Sequence, residues 1–176
     1  MARAAKLDLR VFQQELATRL AAKTTAQVEQ SRLGFACAGQ QWLIRLADAG
    51  EVIAVPQTAS VPLTKPWYIG IANIRGNLYG VIDFAGFLGQ PLEPVATGPS
   101  QTRLVLFGPR VGELRAGLVV RRVLGLRNLA ELAESESPAG APAWYGPRWT
   151  EVSGAVWQEI DLARLAQDPG FLQVGQ

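Results

Sequence analysis

Short runs of alternating apolar and polar residues, separated by glycine or proline, fill most of the chain after residue 31. The run RLGFACAGQQWLIRL predicts a hairpin turning at Ala38-Gly39-Gln40, because alternate side chains of a strand face the same side. Similar runs recur at roughly 8–12-residue spacing, in two groups of about five. This pattern predicts a mostly β fold built as two small barrels packed together, since one such barrel alone buries little apolar surface.

The chain divides into a helical extension, residues 1–30, and a β-rich part. Leu9, Phe12, Leu16 and Leu20 recur at helical spacing in the extension, which predicts an amphipathic helix. The apolar stripe of this helix is equally compatible with packing on the rest of the chain and with binding a partner.

The β-rich part spans residues 31–172. A Pro/Gly/Ser-rich connector at 90–101 separates a first lobe, about 31–92, from a second, about 100–172. Leucine and alanine residues at 162–166 predict a short helix near the end of the second lobe.

Membrane insertion and disulfide bonding are not expected. No stretch reaches the roughly 20 consecutive apolar residues that a spanning helix needs. The single cysteine, Cys37, allows no intramolecular disulfide, and the N-terminal residues do not resemble a secretory signal, so we expect a cytoplasmic protein. Cys37 alternates with Phe35 on a predicted strand, which favours a small buried side chain over a reactive thiol.

The residue types that most catalytic sites require are missing. There is no histidine, which removes Ser-His and Cys-His nucleophiles and the commonest zinc ligand. The carboxylate pairs Glu134 with Glu136, in a loop predicted at 134–147, and Glu159 with Asp161 are expected to be solvated surface groups. A hydrolase using them is a distant alternative, and we predict no enzymatic activity, no cofactor and no metal.

Nucleic-acid binding by an OB-like barrel is a further alternative. The pair Arg121-Arg122 and the five tryptophans are the features that favour it. The net charge of +2 is too small to attract a polyanion by itself. Trp42 and Trp157 lie in predicted strands with apolar neighbours, so core packing explains most of the tryptophans, and we expect no nucleic-acid partner.

The run GIANIRGNLYGVIDF predicts a second well-defined hairpin. Its strands are expected at 70–75 and 78–83, joined by Gly76-Asn77, where a positive φ costs little. Asp83 is placed to cap the turn that follows the second strand.

Arg75 is an isolated cation in this otherwise apolar hairpin, and two roles are open for it. Its guanidinium can bond loop carbonyls and hold the bend. Alternatively, it is a semi-buried interface residue beside Ile74 and the apolar residues 66–69, which is the anatomy of a binding hot spot.

The same hairpin resembles the signature of CheW-like coupling proteins, in which G-hydrophobic-x-N-hydrophobic-R-G precedes a strand ending in Asp and an apolar residue. The segments AGEVI at 49–53, PWYIG at 66–70 and AGLVV at 116–120 resemble further family segments, and the likeness covers about residues 31–170. It implies two SH3-like five-stranded β-barrel lobes without catalytic activity. It also implies an adaptor that bridges the cytoplasmic tip of a methyl-accepting chemoreceptor to the regulatory domain of a CheA-type histidine kinase.

Two residues depart from the family pattern. Gly80 stands where proline is usual, and Arg121 stands where an acidic residue is common. With the runs ANIRGNLYGVIDF and FLG, these departures look closest to the pilus-associated, PilI-type branch, which implies a two-component pathway controlling type IV pilus twitching motility. A flagellar chemotaxis coupling protein is the alternative within the family.

The resemblance favours recognition as the role of Arg75, because the matching arginine of the family supports receptor and kinase coupling. Glu51 adds a carboxylate beside apolar strand residues. The expected partner-binding residues are Arg75, Asn73, Ile74, Gly76, Glu51, Val52 and Ile53. We expect the protein to associate with membrane receptor arrays only through its partners.

Overall fold

A computed structural model describes residues 9–94 and 100–176. A long helix, α1 (Leu9–Gln30), leads directly into the first strand. Three short helices follow later, each of one turn: α2 (Phe84–Phe87), α3 (Leu162–Leu165) and α4 (Pro169–Leu172). The eleven strands of the described residues are β1 (Ser31–Cys37), β2 (Gln40–Arg45), β3 (Ala49–Ala54), β4 (Tyr68–Ile74), β5 (Asn77–Asp83), β6 (Arg103–Phe107), β7 (Ala116–Val120), β8 (Arg122–Asn128), β9 (Ala133–Ser135), β10 (Tyr145–Thr150) and β11 (Val156–Ile160).

The strands form two sheets, which confirms the predicted mostly β class. One sheet has six strands in the order β8-β1-β2-β11-β10-β9, and the other has five in the order β3-β6-β7-β5-β4. Most neighbours are antiparallel, but β2 with β11 and β5 with β7 are parallel. Neither sheet closes on itself within the described residues, so the predicted barrels are seen only as open sheets.

Both sheets are assembled from both halves of the chain. The six-stranded sheet joins β1 and β2 to β8–β11, and the five-stranded sheet joins β3–β5 to β6 and β7. In both sheets, strands that precede the connector at 90–101 therefore pair with strands that follow it, across the predicted lobe boundary. Residues 95–99 of the connector lie outside the described part.

The edges of the five-stranded sheet approach each other. After β3 the chain turns back towards edge strand β4. Ala59, in the segment after β3, exchanges two backbone hydrogen bonds with Ile71 of β4, with N···O distances of 2.8 and 2.9 Å. The sheet is thus strongly curved, and the segment after β3 pairs with the strand at the opposite edge.

The main apolar core lies between the two sheets. Phe35 and Trp42 of the six-stranded sheet and Val105 and Leu118 of the other are at most 1% exposed within it. Two smaller cores involve one sheet each: one includes Val81 in the five-stranded sheet, and the other includes buried tryptophans of the six-stranded sheet. The shared core makes the two sheets one packed unit.

Several local predictions are confirmed. The first hairpin forms as expected, with β1 and β2 paired in register around Ala38-Gly39. Asp83 caps α2, accepting hydrogen bonds from the backbone N–H groups of Ala85 and Gly86. The loop predicted at 134–147 is shorter than expected, since β9 and β10 occupy its two ends.

The last turn of helix α1 contacts the β-rich part of the protein. The Glu29 carboxylate accepts a hydrogen bond from Arg110 at 2.7 Å, and the Glu29 carbonyl accepts one from Arg32. Every described side chain from residue 13 to residue 30 is exposed, including Leu20 at 59%. The predicted stripe cannot be traced further, because the side chains of residues 9–12 and 16 lie outside the described part. None of the described helices has the length and apolar character to cross a membrane.

Candidate partner-binding site

The hairpin that carries Arg75 turns one residue earlier than predicted. β4 ends at Ile74, β5 begins at Asn77, and the turn is Arg75-Gly76. Both turn residues have positive φ, 51° and 83°, as a two-residue type I′ turn requires. Asn73 fixes the bend, since its side-chain carbonyl accepts a hydrogen bond from the Gly76 N–H at 2.9 Å. The placement of the turn at Gly76-Asn77 was therefore wrong, because Arg75 itself adopts the left-handed conformation.

Arg75 has an acidic partner that its sequence neighbourhood does not reveal. Its guanidinium donates a hydrogen bond to Glu51 on β3, with a distance of 2.5 Å between Nη1 and Oε1. The side chain is 74% exposed and that of Glu51 is 48% exposed. The predictions of an isolated and semi-buried cation are thus both wrong. The curvature of the five-stranded sheet brings β3 to the tip of the β4–β5 hairpin, so the two charges meet although they are 24 residues apart.

The apolar residues expected at the site lie on the same two elements. Ile53 and Ile74 are half-buried and pack against the core of the five-stranded sheet, the one that includes Val81. Val52 points the other way and is 39% exposed. The structure therefore joins Glu51 and Arg75 in one charged contact, with an exposed valine adjacent to Glu51 in β3 and two isoleucines supporting the contact from the core.

Two charged contacts with buried members were missed by sequence reasoning. Arg32, 6% exposed, donates to Glu159, 4% exposed, at 2.8 Å, and Trp149 donates to the other carboxylate oxygen at 2.6 Å. Arg121 donates to the buried Asp83 at 3.2 Å. Arg32 and Glu159 are 127 residues apart, so no local pattern signals their meeting.

All four residues of the two carboxylate pairs line one open cavity of about 630 Å³. Glu159 is buried against Arg32 rather than solvated, which corrects the expectation for this residue. Asp161 caps α3 by accepting a hydrogen bond from the Arg164 N–H. Glu134 is exposed on β9. Among the described residues there is no cluster of three potential metal-ligating side chains.

Most of the features that favoured nucleic-acid binding have structural roles, whereas Arg122 is exposed on β8. Arg121 is engaged with Asp83, and four of the five tryptophans are at most 8% exposed: Trp42, Trp144, Trp149 and Trp157. The half-buried Trp67 packs against Phe87 and Phe171, with ring centroids at 5.2 and 6.4 Å. These rings fill cores rather than form a stacking platform for bases.

The thiol of Cys37 is unsuited to chemistry at neutral pH. The residue is 3% exposed within the main core, which confirms the expected small buried side chain. Burial raises the pKa of Cys37 to about 11. Its thiol is therefore protonated at neutral pH, and the protonated form is a poor nucleophile.

Comparison with known proteins places this fold and hairpin in a family. The CheW-like domain family matches residues 32–170. Protein PilI of Pseudomonas aeruginosa is 33% identical over 165 residues, which cover 89% of this chain and 88% of that protein. The chain belongs to the CheW-like family of coupling and scaffold proteins.

A solved CheW structure shows the same fold. The scaffolding protein TtCheW of Thermoanaerobacter tengcongensis superposes with a TM-score of 0.65 at 19% sequence identity, over 81% of this chain and 95% of that one. At this identity the likeness concerns the arrangement of strands, and the relationship to PilI rests on the sequence match.

The two departures from the CheW-like pattern both make contacts here. The Gly80 N–H donates to the Arg115 carbonyl at 2.9 Å, a bond that proline cannot make because it lacks this hydrogen. Arg121 pairs with Asp83 and lies 3.9 Å from the carboxylate of Glu93. An acidic residue at position 121 would face two carboxylates.

Proposed function

We propose that this protein is a non-enzymatic adaptor of a two-component pathway controlling type IV pilus twitching motility. In this role it couples the cytoplasmic tip of a methyl-accepting chemoreceptor to the regulatory domain of a CheA-type histidine kinase. The observation that carries the proposal is the 33% identity to protein PilI across nine-tenths of both chains, together with the NIRG segment of the signature at residues 73–76. The protein would act in the cytoplasm and reach membrane receptor arrays through its partners.

The proposed partner-binding surface is the contact between β3 and the β4–β5 turn. It comprises Glu51, Val52, Ile53, Asn73, Ile74, Arg75 and Gly76. A two-residue turn held by the Asn73–Gly76 hydrogen bond keeps Arg75 in place before a partner arrives, so little conformational entropy is lost on binding. The exposed Arg75 supplies a guanidinium, and arginine is one of the residue types enriched at interface hot spots.

We further propose that each sheet forms an SH3-like barrel lobe. Two contacts support this for one lobe: the Ala59–Ile71 bridge joins the segment after β3 to β4, and the Arg75–Glu51 ion pair joins the β4–β5 turn to β3. Because each sheet combines strands from both halves of the chain, the lobes would correspond to sheets rather than to continuous stretches of sequence.

Substitution of Arg75 tests the surface. Arg75→Ala is expected to weaken binding of the purified receptor tip or kinase regulatory domain by about 1–3 kcal/mol, as truncation of hot-spot residues does. Glu51→Arg, which puts two like charges together, is expected to weaken the same binding. Arg122→Ala, an exposed arginine on the six-stranded sheet, serves as the matched control and should bind normally. Titration calorimetry with thermal melting separates binding from folding.

A charge reversal distinguishes recognition from a structural role. The double variant Arg75→Glu with Glu51→Arg restores an ion pair of opposite direction, so its melting temperature should match the parent while binding stays weak. Restoration of binding by the double variant would mean that the pair acts only on the fold.

Selective binding to flagellar chemotaxis partners, rather than to those of the pilus pathway, would identify the protein as a flagellar coupling protein.

A further inference from the structure

A small open cavity lies beside the start of β7. Its volume is about 190 Å³. The walls come from three separate parts of the chain: the β4–β5 hairpin, the residues leading into β7, and the stretch from the end of α4 to residue 174. Its lining is mainly apolar and includes Tyr68, Ile82, Leu114, Ala116, Leu172 and Val174.

The missing side chain of Gly80 keeps this cavity open. A Cβ atom on Gly80 would lie 3.1 Å from the Tyr68 hydroxyl, which lines the same space. The residue sits within β5 and its backbone needs no positive φ, so a larger residue is compatible with the strand. Glycine at this position therefore gives space rather than backbone freedom.

The wall formed by residues 171–176 is held in place by backbone hydrogen bonds. The Lys65 N–H donates to the Val174 carbonyl at 2.7 Å, and the Gln176 N–H donates to the Leu63 carbonyl at 3.0 Å. Leu172 stands at this wall with 48% of its surface exposed. The C-terminal wall is thus tied to residues 63–65, and the rim of the cavity is apolar and exposed.

One cation stands at the rim without an acidic partner. The exposed Arg115 lines the cavity and donates a hydrogen bond to the neutral side chain of Asn77 at 2.7 Å. No carboxylate lies within ion-pair distance of it among the described residues, unlike Arg75 and Arg121. The Tyr68 hydroxyl also has no hydrogen-bond partner in the described part of the chain, and burial raises its pKa, so it remains a neutral donor at physiological pH.

We propose that this cavity receives one apolar side chain of about leucine size from a partner protein, with an adjacent acidic residue of that partner bound to Arg115. Apolar cavities of about 150 Å³ accept a molecule as large as benzene, so the volume suits one such side chain. The unpaired guanidinium at the rim selects a carboxylate over a neutral or basic neighbour. This inference does not depend on the proposed function, because its residues are distinct from Arg75 and Glu51.

Two dipeptides that differ only in charge test the proposal. Acetyl-Asp-Leu-amide and acetyl-Asn-Leu-amide are titrated into the ¹⁵N-labelled protein. The acidic peptide should bind about two- to fivefold more tightly, the range that an exposed ion pair gives. Amide shifts should cluster at residues 80–82, 114–116 and 172–175, and leucine methyl protons should show intermolecular NOEs to the Tyr68 ring.

Variants separate the apolar contact from the charged contact. Gly80→Val should abolish binding of both peptides by filling the cavity. Arg115→Gln, a change at an exposed residue that leaves the fold intact, should equalise the two affinities. Arg75→Ala should bind both peptides as the parent does, so failure of the proposed function and failure of this inference are distinguishable.

Three results would overturn the inference. Equal affinity of the parent for both peptides would remove the role of Arg115. Shifts remote from the cavity, or unchanged binding in a folded Gly80→Val variant, would remove the cavity itself. Self-association that Gly80→Val abolishes would identify a second copy of this chain as the occupant instead.

Discussion

Arg75 and Glu51 form an ion pair that contributes little to folding and is therefore free to serve recognition. Exposed pairs of this kind stabilise a fold by about 0–1 kcal/mol, since water screens both charges. The left-handed backbone of Arg75 costs about 1–2 kcal/mol, which is at least as much as the ion pair contributes. Sequence reasoning identified Arg75, but it could not find Glu51 as its partner, because only the curvature of the sheet brings the two together.

Among the glycines that the structure describes, Gly70 leaves the least room for a side chain. Its φ is 143°, and a Cβ atom would lie 2.2 Å from the Ala59 carbonyl oxygen, where the chain after β3 meets β4. We expect Gly70→Ala to lower the free energy of unfolding by about 3 kcal/mol or more. Gly76→Ala is the matched control, because Gly76 also has positive φ but no atom lies within 4 Å of its Cβ position. It should cost only about 1 kcal/mol. Equal losses in urea denaturation would show that the contact with Ala59 is unimportant.

The reactivity of the Cys37 thiol tests the packing of the main core. Because burial raises its pKa to about 11, its thiol should be almost entirely protonated at pH 8. Ellman's reagent should therefore react slowly with the folded protein and quickly after addition of guanidinium. Fast reaction of the folded protein at pH 8 would contradict the close packing of the core around this residue.

The elements differ in how far the sequence predicts them. The hairpins around Ala38-Gly39 and Arg75-Gly76 were located to within one residue, because alternation and turn residues are local signals. The parallel pairs β2 with β11 and β5 with β7 were not predicted. They join strands far apart in sequence and are specified by the shared core rather than by any turn, which is why the interleaving of the sheets had no sequence signal.

Among its described side chains, helix α1 contacts the body only near its C-terminal end. At 22 residues it is about 33 Å long, yet the described contacts involve its last turn. Loss of the Arg110–Glu29 pair should increase the motion of α1 relative to the sheets. Arg110→Gln should lower the heteronuclear NOE of the α1 amides at neutral pH, while Arg19→Gln, which breaks an ion pair within α1, should not. Similar values for the two variants would mean that Arg110 does not anchor the helix.

Acid should have the same effect on α1 as Arg110→Gln. Arg110 lowers the pKa of Glu29 from its ordinary value of 4.5 in the folded protein. The stabilisation that the Arg110–Glu29 ion pair gives to the folded protein is therefore complete above pH 4.5. It is lost as the pH falls through the lowered pKa of Glu29. In Arg110→Gln this acid-dependent change in the NOE should be absent, and a change of equal size would contradict the assignment.

At the scale of the whole molecule, the two sheets share one core and form a single packed unit that carries the proposed binding surfaces. The core between the sheets contains residues of both, so a core substitution in one sheet also alters the packing of the other. Such a unit suits an adaptor, which must hold two partners in a fixed relation without changing either chemically. The family, the mostly β class and the signature hairpin could be predicted from sequence. The exposed ion pair and the cavity beside β7 could not, because both depend on contacts between distant strands.

The central claim is that this protein bridges a receptor and a kinase, and co-sedimentation tests it most directly. Membranes carrying the chemoreceptor are mixed with the regulatory domain of the CheA-type kinase, with and without this protein, and then pelleted. We expect the kinase domain to pellet when the protein is present, to stay in solution when it is omitted, and to pellet less with Arg75→Ala. A kinase domain that stays in solution in every mixture, or pellets equally without the protein, would contradict the account.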